Sequence, residues 1–395
     1  MQISYTLISA SSDRENVMDV EAMPALADAT SSRVSDFISD EVGEYANRLT
    51  GRTLRIEQFS AGRFSGRLTS LRLDHVQIIR ERTCQSLMKP GMAWPGVMIF
   101  SLPVAASGDS HFNGHVLSFP SPLFVDGADV PPLLTPRYLD VVHLVVDRQW
   151  LAGYFKGIGE CRLADDLFAV RHLGFNVSAE RNAAMRRVIT DLFDACGRTH
   201  VFDFPASRNE LQSSLLRFIA EALTSGRSTS MNSVTSQKKV ADHALDFALS
   251  RRDTPPGVDD LCRHVGVSRR NLQDCFQNSF GTSPSRFLRV VRLNAVRREL
   301  KMLAAAKRRV SIGDVAASWG FWHWSRFADS YRELFGELPS QTLQVIRSSR
   351  HSTSTTGFDR LDKSYQEGPV FGRNEALDAT RHAWLAADQA RWLEG

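Results

Sequence analysis

No stretch of this 395-residue sequence strings together the roughly 18 apolar residues that a membrane-spanning helix needs. The first residues show no basic segment followed by an apolar one, so no secretory signal is expected. Cysteine is scarce. Five are present, at Cys84, Cys161, Cys196, Cys262 and Cys275, with no Cys-x-x-Cys among them. That excludes a disulfide framework and a four-cysteine zinc site, and it leads us to expect reduced thiols and a cytoplasmic setting. No His-x-His and no Gly-Gly pair occurs either.

What is present is ordinary in bulk and uneven in distribution. Hydrophobic residues make up 43% and charged residues 23%, the balance of a globular protein. The net charge is only +4. Residues 235–350, however, hold 20 Lys and Arg against 11 Asp and Glu, whereas the remainder is net acidic. A basic domain beside an acidic one suggests that one part of the chain meets a polyanion.

The texture changes along the chain in the same way. Residues 1–35 are small, polar and acidic, and are expected to be disordered. From Thr53 to Asp147 short alternating apolar runs are broken by Gly and Pro, as in GRLTSLRLDHVQIIRERT, VMIFSLPV and YLDVVHLVVD. Such runs predict a β-sandwich or barrel. Helical periodicity follows in DRQWLAGYF, AERNAAMRRVITDLFDAC and SRNELQSSLLRFIAEAL. The domain is therefore drawn at 36–223, with a Ser/Thr/Gly-rich flexible linker at 224–237. A basic domain follows at 238–345, and a linker and tail at 346–395. In that tail Leu377, Trp384, Leu385 and Trp392 would share one helical face, packing on the protein itself or on a partner.

The basic domain contains an internal repeat. DLCRHVGVSRRNLQDCFQNSFG at 260–281 is matched by DVAASWGFWHWSRFADSYRELFG at 314–336. Each copy opens with an acidic residue, Asp260 or Asp314, which suits the positive end of a short helix. A glycine follows, Gly266 or Gly320, able to take the left-handed conformation that a tight turn requires. A second helix then places Leu272, Phe276 and Phe280, or Phe327, Tyr331 and Phe335, on one buried face. Each copy ends in Gly-x-x-Pro. Ser268, Ser283 and Ser311 stand where N-caps belong, and the second turn is one residue longer than the first. Between the copies, PSRFLRVVRLNAVRRELKML at 284–303 is apolar nearly all round, so it reads as a buried helix of roughly 30 Å joining two helix-turn-helix units. That length suits two recognition helices about one DNA turn, roughly 34 Å, apart.

Recognition helices present their N-terminal exposed positions to base edges, where Arg reads guanine and Asn or Gln reads adenine. The candidates are Ser268, Arg269, Arg270, Asn271 and Gln273 in unit one, and His323, Trp324, Ser325, Arg326, Asp329 and Arg332 in unit two. Trp324 suits a thymine methyl. Phe321 and Trp322 are expected in the core, and His323 either contacts a base or caps the helix. Arg286, Arg289, Arg297, Arg298, Lys301, Lys307, Arg308 and Arg309 could meet phosphates, with about half of them expected to do so.

On these motifs, residues 238–343 resemble the DNA-binding domain of the AraC/XylS family of bacterial transcription regulators. RLNAVRREL, DVAASWGF and the following F-x-x-x-Y-x-x-x-F-G-x-x-P carry the resemblance. Within the family, GFWHWSRFADSYRELFGELPSQTL and GRFSGRLTSLRLDHVQIIRERT are closest to regulators of ethanolamine utilisation. The resemblance implies an α+β chain: an N-terminal β-rich domain, a cupin-like barrel or a sandwich, with following helices, then an all-α domain of two helix-turn-helix units. It implies a regulator, more an activator than a repressor, and not an enzyme. Its partners would be double-stranded promoter or operator DNA, RNA polymerase, a second copy as a homodimer and a small-molecule effector, with no cofactor, metal or membrane.

Two readings of the first domain compete with effector binding. GDSHFNG at 108–114 has the Asp109-x-His111-x-x-Gly114 spacing of a cobalamin-binding loop, but strand-like segments flank it, so the spacing is expected to be coincidental. His111 and His115 with His75 or His143 could instead hold a metal, making the barrel an enzyme tethered to a DNA-binding module.

Overall fold

The computed structural model describes residues 34–348 except 51–55, 90, 92–93, 163–171, 177, 197–201, 203, 226, 232, 252–255 and 307–310. Residues 1–33 of the expected disordered segment, and the whole Trp-bearing tail, lie outside the described residues. The chain is α+β, and every strand pairing is antiparallel.

The N-terminal part begins with β1 (Val34–Ser39), two residues before the domain edge expected from composition, and a short helix α1 (Val42–Thr50). The strands that follow are β2 (Glu57–Gln58), β3 (Gly66–Arg72), β4 (Val76–Thr83), β5 (Leu87–Lys89) and β6 (Val97–Ala106). They continue as β7 (Ser110–Phe112), β8 (His115–Leu117), β9 (Leu123–Asp126), β10 (Leu133–Leu134) and β11 (Leu139–Asp147). Helices α2 (Arg148–Gly157), α3 (Ala179–Cys196) and α4 (Pro205–Ser225) are interleaved with β12 (His172–Asn176) and β13 (Arg227–Ser230). One sheet has eight strands in the order β1-β3-β4-β11-β6-β9-β12-β13, and the other five in the order β2-β5-β10-β7-β8.

Alternation along the central strands explains the layers. Met98, Phe100, Leu102 and Val104 of β6 join Val76 and Ile78 of β4 in a core shared with Ile189, Leu216 and Ile219 of α3 and α4. The intervening residues face the other way. Val97, with Ile79 and Val145, packs there against Leu87 of the small sheet and Tyr45 of α1. That second interior also holds charge. The fully buried Glu81 pairs with Lys89 and lies 3.3 Å from His143 Nε2, while His143 Nδ1 meets Ser101 Oγ at 2.8 Å. Burial alone would raise the Glu81 carboxyl. Lys89 and His143 outweigh burial and hold it well below the usual carboxylate range.

The stretch 224–237 is not the free linker its composition predicts. Thr224 and Ser225 finish α4, β13 pairs with β12, and Thr235 caps the next helix by accepting from Lys238 N. The Met231 and Ser233 carbonyls accept from Asn113 Nδ2 and His115 Nε2. An edge strand requires only backbone donors and acceptors, which Ser and Thr supply without any apolar period.

The C-terminal part is all helical: α5 (Ser236–Ser250), α6 (Val258–Val265), α7 (Arg269–Phe280), α8 (Pro284–Ala305), α9 (Ile312–Ser318), α10 (Trp324–Phe335) and α11 (Pro339–Ser348). Helix α8 runs through its centre, burying Phe287, Leu288, Val291, Val296 and Leu300 among others. This core continues into the first domain, where Phe59 sits 4.7 Å from the Phe287 ring.

Candidate nucleic-acid interface

Each helix-turn-helix unit is built by the local chemistry of its sequence. In unit one, Gly257 N donates to Asp260 Oδ2 at the start of α6, and Gly266 ends it with φ +69°. Ser268 Oγ accepts from Asn271 N to start α7, and Gly281 ends that helix with φ +62°. In unit two, Ser311 Oγ accepts from Asp314 N, and Gly320 takes φ +84°. Helix α10 starts four residues after Gly320, whereas α7 starts three after Gly266, which is the longer second turn. Leu272, Phe276 and Phe280, and Phe327, Tyr331 and Phe335, are all buried.

With those inward faces fixed, the outward residues follow. All eleven candidate readers are exposed: Ser268, Arg269, Arg270, Asn271, Gln273, His323, Trp324, Ser325, Arg326, Asp329 and Arg332. They are not one surface. On α7, Arg270, Gln273 and Gln277 form a stripe, with Arg269 at its leading end. On α10 the outward stripe is Ser325, Asp329 and Arg332, with Trp324 leading, and its middle residue stands in the place of Asp274 and not of Gln273. Asn271 and Arg326 occupy equivalent places beside the stripes, three residues after their N-caps. Gln277 was not among the expected readers; its match to Arg332, nine residues after each N-cap, is legible once the two copies are aligned.

Five side chains are partly committed. Ser268 spends its oxygen on capping, Asn271 Oδ1 accepts from Cys275 Sγ at 3.4 Å, Arg269 lies 3.6 Å from Asp259, and Arg332 lies 3.4 Å from Asp329. His323 is the N-cap residue of α10 but makes no side-chain capping bond, so its ring is not used for capping. Trp322, expected in the core, is instead 70% exposed. Phe321 takes the inner place, 5.2 Å from Phe327, and the next residue then points outward.

Trp324 is 57% exposed, yet its ring lies over Gly313 of α9, where an added Cβ would overlap it. Gly313→Ala is therefore expected to change stability by less than about 1 kcal/mol while turning the ring into water. Tryptophan emission should shift to the red relative to a Trp324→Phe control, and an unchanged spectrum would contradict the packing.

The basic residues divide in a way that the sequence does not show. Arg286 and Arg289 on the first turns of α8 are exposed. Arg297, Arg298 and Lys301 instead pair with acids of the first domain. Arg297 lies 3.3 Å from Glu41, Arg298 lies 3.1 Å from Glu57, and Lys301 pairs with Glu41. Their expected role at phosphates is corrected accordingly. Lys307, Arg308 and Arg309 lie outside the described residues.

The competing sites find no support in the geometry. Asp109-x-His111-x-x-Gly114 falls on the β7–β8 hairpin, not on a strand-to-helix turn. His75 stacks on Trp150, His143 is held by Ser101 and Glu81, and among the described residues no three His, Cys, Asp or Glu side chains gather as a metal site would require. Among the described residues, no helix is long and apolar enough to cross a membrane.

Residues 261–344 match the family model of a helix-turn-helix domain. The probable thc operon regulatory protein of Rhodococcus erythropolis is 39% identical over 103 residues, 26% of this chain and 30% of that protein. The XylDLEGF operon transcriptional activator of Pseudomonas putida is 41% identical over 90 residues, 23% of this chain and 27% of that protein. The matches thus span less than a third of either relative. A solved structure of a probable AraC family transcriptional regulator from Rhodopseudomonas palustris is 30% identical, covering 27% of this chain and 97% of that one, with a TM-score of 0.25. Neither named operon regulator is one of ethanolamine utilisation, so the narrower likeness gains nothing from them. Residues 261–344 form a helix-turn-helix domain similar to those of bacterial operon regulators.

Proposed function

We propose that the chain is a sequence-specific DNA-binding regulator of transcription, an activator of the AraC/XylS kind, acting in the cytoplasm. The observation that carries this reading is the pair of exposed rows on α7 and α10, the second helices of two units that α8 joins in the chain. Helix α8 has 22 residues, so it is about 33 Å long, close to one turn of B-DNA. One chain then reads two successive major grooves with unequal surfaces. Arg269, Arg270, Asn271, Gln273 and Gln277 meet one groove. His323, Trp324, Ser325, Arg326, Asp329 and Arg332 meet the other, and Ser268 orients its helix. The target is therefore asymmetric.

The first domain receives the signal in this reading. Its two sheets would form a cupin-like barrel that takes a small-molecule effector or pairs with a second copy, and the DNA-bound chain would meet RNA polymerase. Support for this part comes from the family resemblance.

The test separates base reading from phosphate contact. Arg270→Ala should cost about 1–3 kcal/mol on the specific site and much less on scrambled DNA. Arg289→Ala should weaken both equally and reduce the salt slope by about one unit. Titrations across salt concentrations on a footprinted upstream site decide between them. Equal losses on both DNAs for Arg270→Ala would remove it from the readers.

A further inference from the structure

The first domain touches the DNA-binding domain at an unusual set of places. Gln58 of β2 exchanges both backbone bonds with the Asn294 side chain at the middle of α8: its N–H donates to Oδ1 at 3.2 Å, and its carbonyl accepts from Nδ2 at 2.8 Å. The Gln58 side chain reaches on to the Leu334 carbonyl in the last turn of α10, 2.6 Å away. Gly62 N donates to the Glu333 carbonyl at 3.0 Å, and Arg63 packs against Gly336, where a Cβ would come within 3.0 Å of its backbone nitrogen. At the other unit, His111 lies against Gly281, the glycine that ends α7, and Phe59 joins the ring cluster of Phe276, Phe280 and Phe287.

Glu41, immediately before α1, completes the pattern. It binds Arg297 and Lys301 of α8, and Arg297 in turn binds Glu337 just beyond α10 at 3.0 Å. Burial would raise the Glu41 carboxyl, but Arg297 and Lys301 outweigh it and keep it ionised below its usual range. The first domain therefore spans the trailing ends of both recognition helices and the helix between them, while their leading ends, with Arg269, Arg270, Trp324 and Ser325, stay exposed.

We propose that Glu41 and Gln58 are positioning residues for DNA reading, a clamp that fixes the angle and spacing of the second helix-turn-helix unit against the first. The inference rests on the assignment of α7 and α10 as readers. The clamp does not cover the reading surface. It holds two surfaces in the relation that two successive grooves demand, so a signal in the first domain reaches DNA by tightening or loosening that relation. The charges of Glu41 and Arg297 do this work at a distance from every base, and the same residue is tied to α1: Gly43 N donates to Glu41 Oε1 at 3.3 Å, and the backbone N–H of the buried Tyr45 donates to the Glu41 backbone carbonyl.

Spacing preference is the readout, because a merely weakened fold would not change it selectively. Full-length protein is titrated with its footprinted site and with sites carrying one or two base pairs inserted between the two contacted grooves. The wild-type chain should lose about tenfold in affinity per inserted pair, since each pair rotates one groove by about a tenth of a turn. Glu41→Gln combined with Gln58→Ala should bind the native spacing more weakly and reduce that penalty to about twofold, and Glu41→Asp should retain most of it. Glu41→Gln alone, isosteric and at a partly exposed position, carries the test if the double variant melts early. A wild-type spacing penalty in the variants overturns the clamp, as does tighter binding at the native spacing, which would make the contacts inhibitory. A wild-type chain that does not distinguish its site from scrambled DNA overturns the DNA-reading assignment itself.

Discussion

Lys89→Met is expected to lower the stability of the first domain by about 3–5 kcal/mol at neutral pH, the cost of leaving a buried carboxylate without its main partner. Glu81 has no exposed surface, and Lys89 is the largest of the influences that keep it ionised. The sign of the pH dependence follows. In the wild type the folded carboxyl is depressed, so its contribution is complete above the unfolded carboxyl range, near pH 4–5, and is lost as pH falls through the lower folded value. In Lys89→Met burial is opposed chiefly by His143, so the carboxyl rises and takes a proton more readily in the folded state. The difference between variant and wild type should therefore shrink as pH is lowered toward 4. Urea melts at pH 7 and pH 4.5 measure it. A pH-independent difference would mean that Lys89 does not act through its charge on Glu81.

Phe287→Ala is the second large effect. The Phe287 ring lies 4.4 Å from Phe280, 5.5 Å from Phe276 and 4.7 Å from Phe59. It therefore joins the first recognition helix, the central helix and the first domain in one packing unit. Truncation should cost about 3–5 kcal/mol, and both domains should melt together earlier instead of one melting alone. Calorimetry showing a single transition at lower temperature is the expected result. Two separated transitions with the first domain unaffected would show that the cluster stabilises only the helical part. Phe287→Leu, which keeps most of the volume, should recover more than half of the loss.

The contrast between what could be read from the sequence and what could not is physical. The two helix-turn-helix units were legible because caps, turn glycines and a helical apolar period are local. Ser268, Gly266, Leu272 and Phe276 lie within a dozen residues, and each constrains the next. The boundaries of α3 followed from its period for the same reason. Helix α1 and strand β1 are not legible in the sequence, since nine residues of mixed polarity carry little periodic signal. The partners of Arg297, Arg298 and Lys301 were invisible because Glu41 is 256 positions from Arg297. A positive charge looks the same in sequence whether it faces a phosphate or a distant carboxylate. Trp322 is exposed and Phe321 turns inward because two adjacent aromatics compete for one inner position, and the sequence does not say which wins.

On α7 and α10 the residues that hold the fold and the residues that face outward are almost entirely separate. Leu272, Phe276, Phe280, Phe327, Tyr331 and Phe335 do the first, and Arg270, Gln273, Gln277, Ser325, Asp329 and Arg332 the second. Exchanging an outward side chain removes almost no packing, so it should leave stability within about 0.5 kcal/mol. The chain's vocabulary of target sites can thus drift, one substitution at a time, along a path on which every intermediate still folds. Trp324 is the exception, since its ring leans on Gly313, and exchanging it gives up packing as well as changing the outward surface.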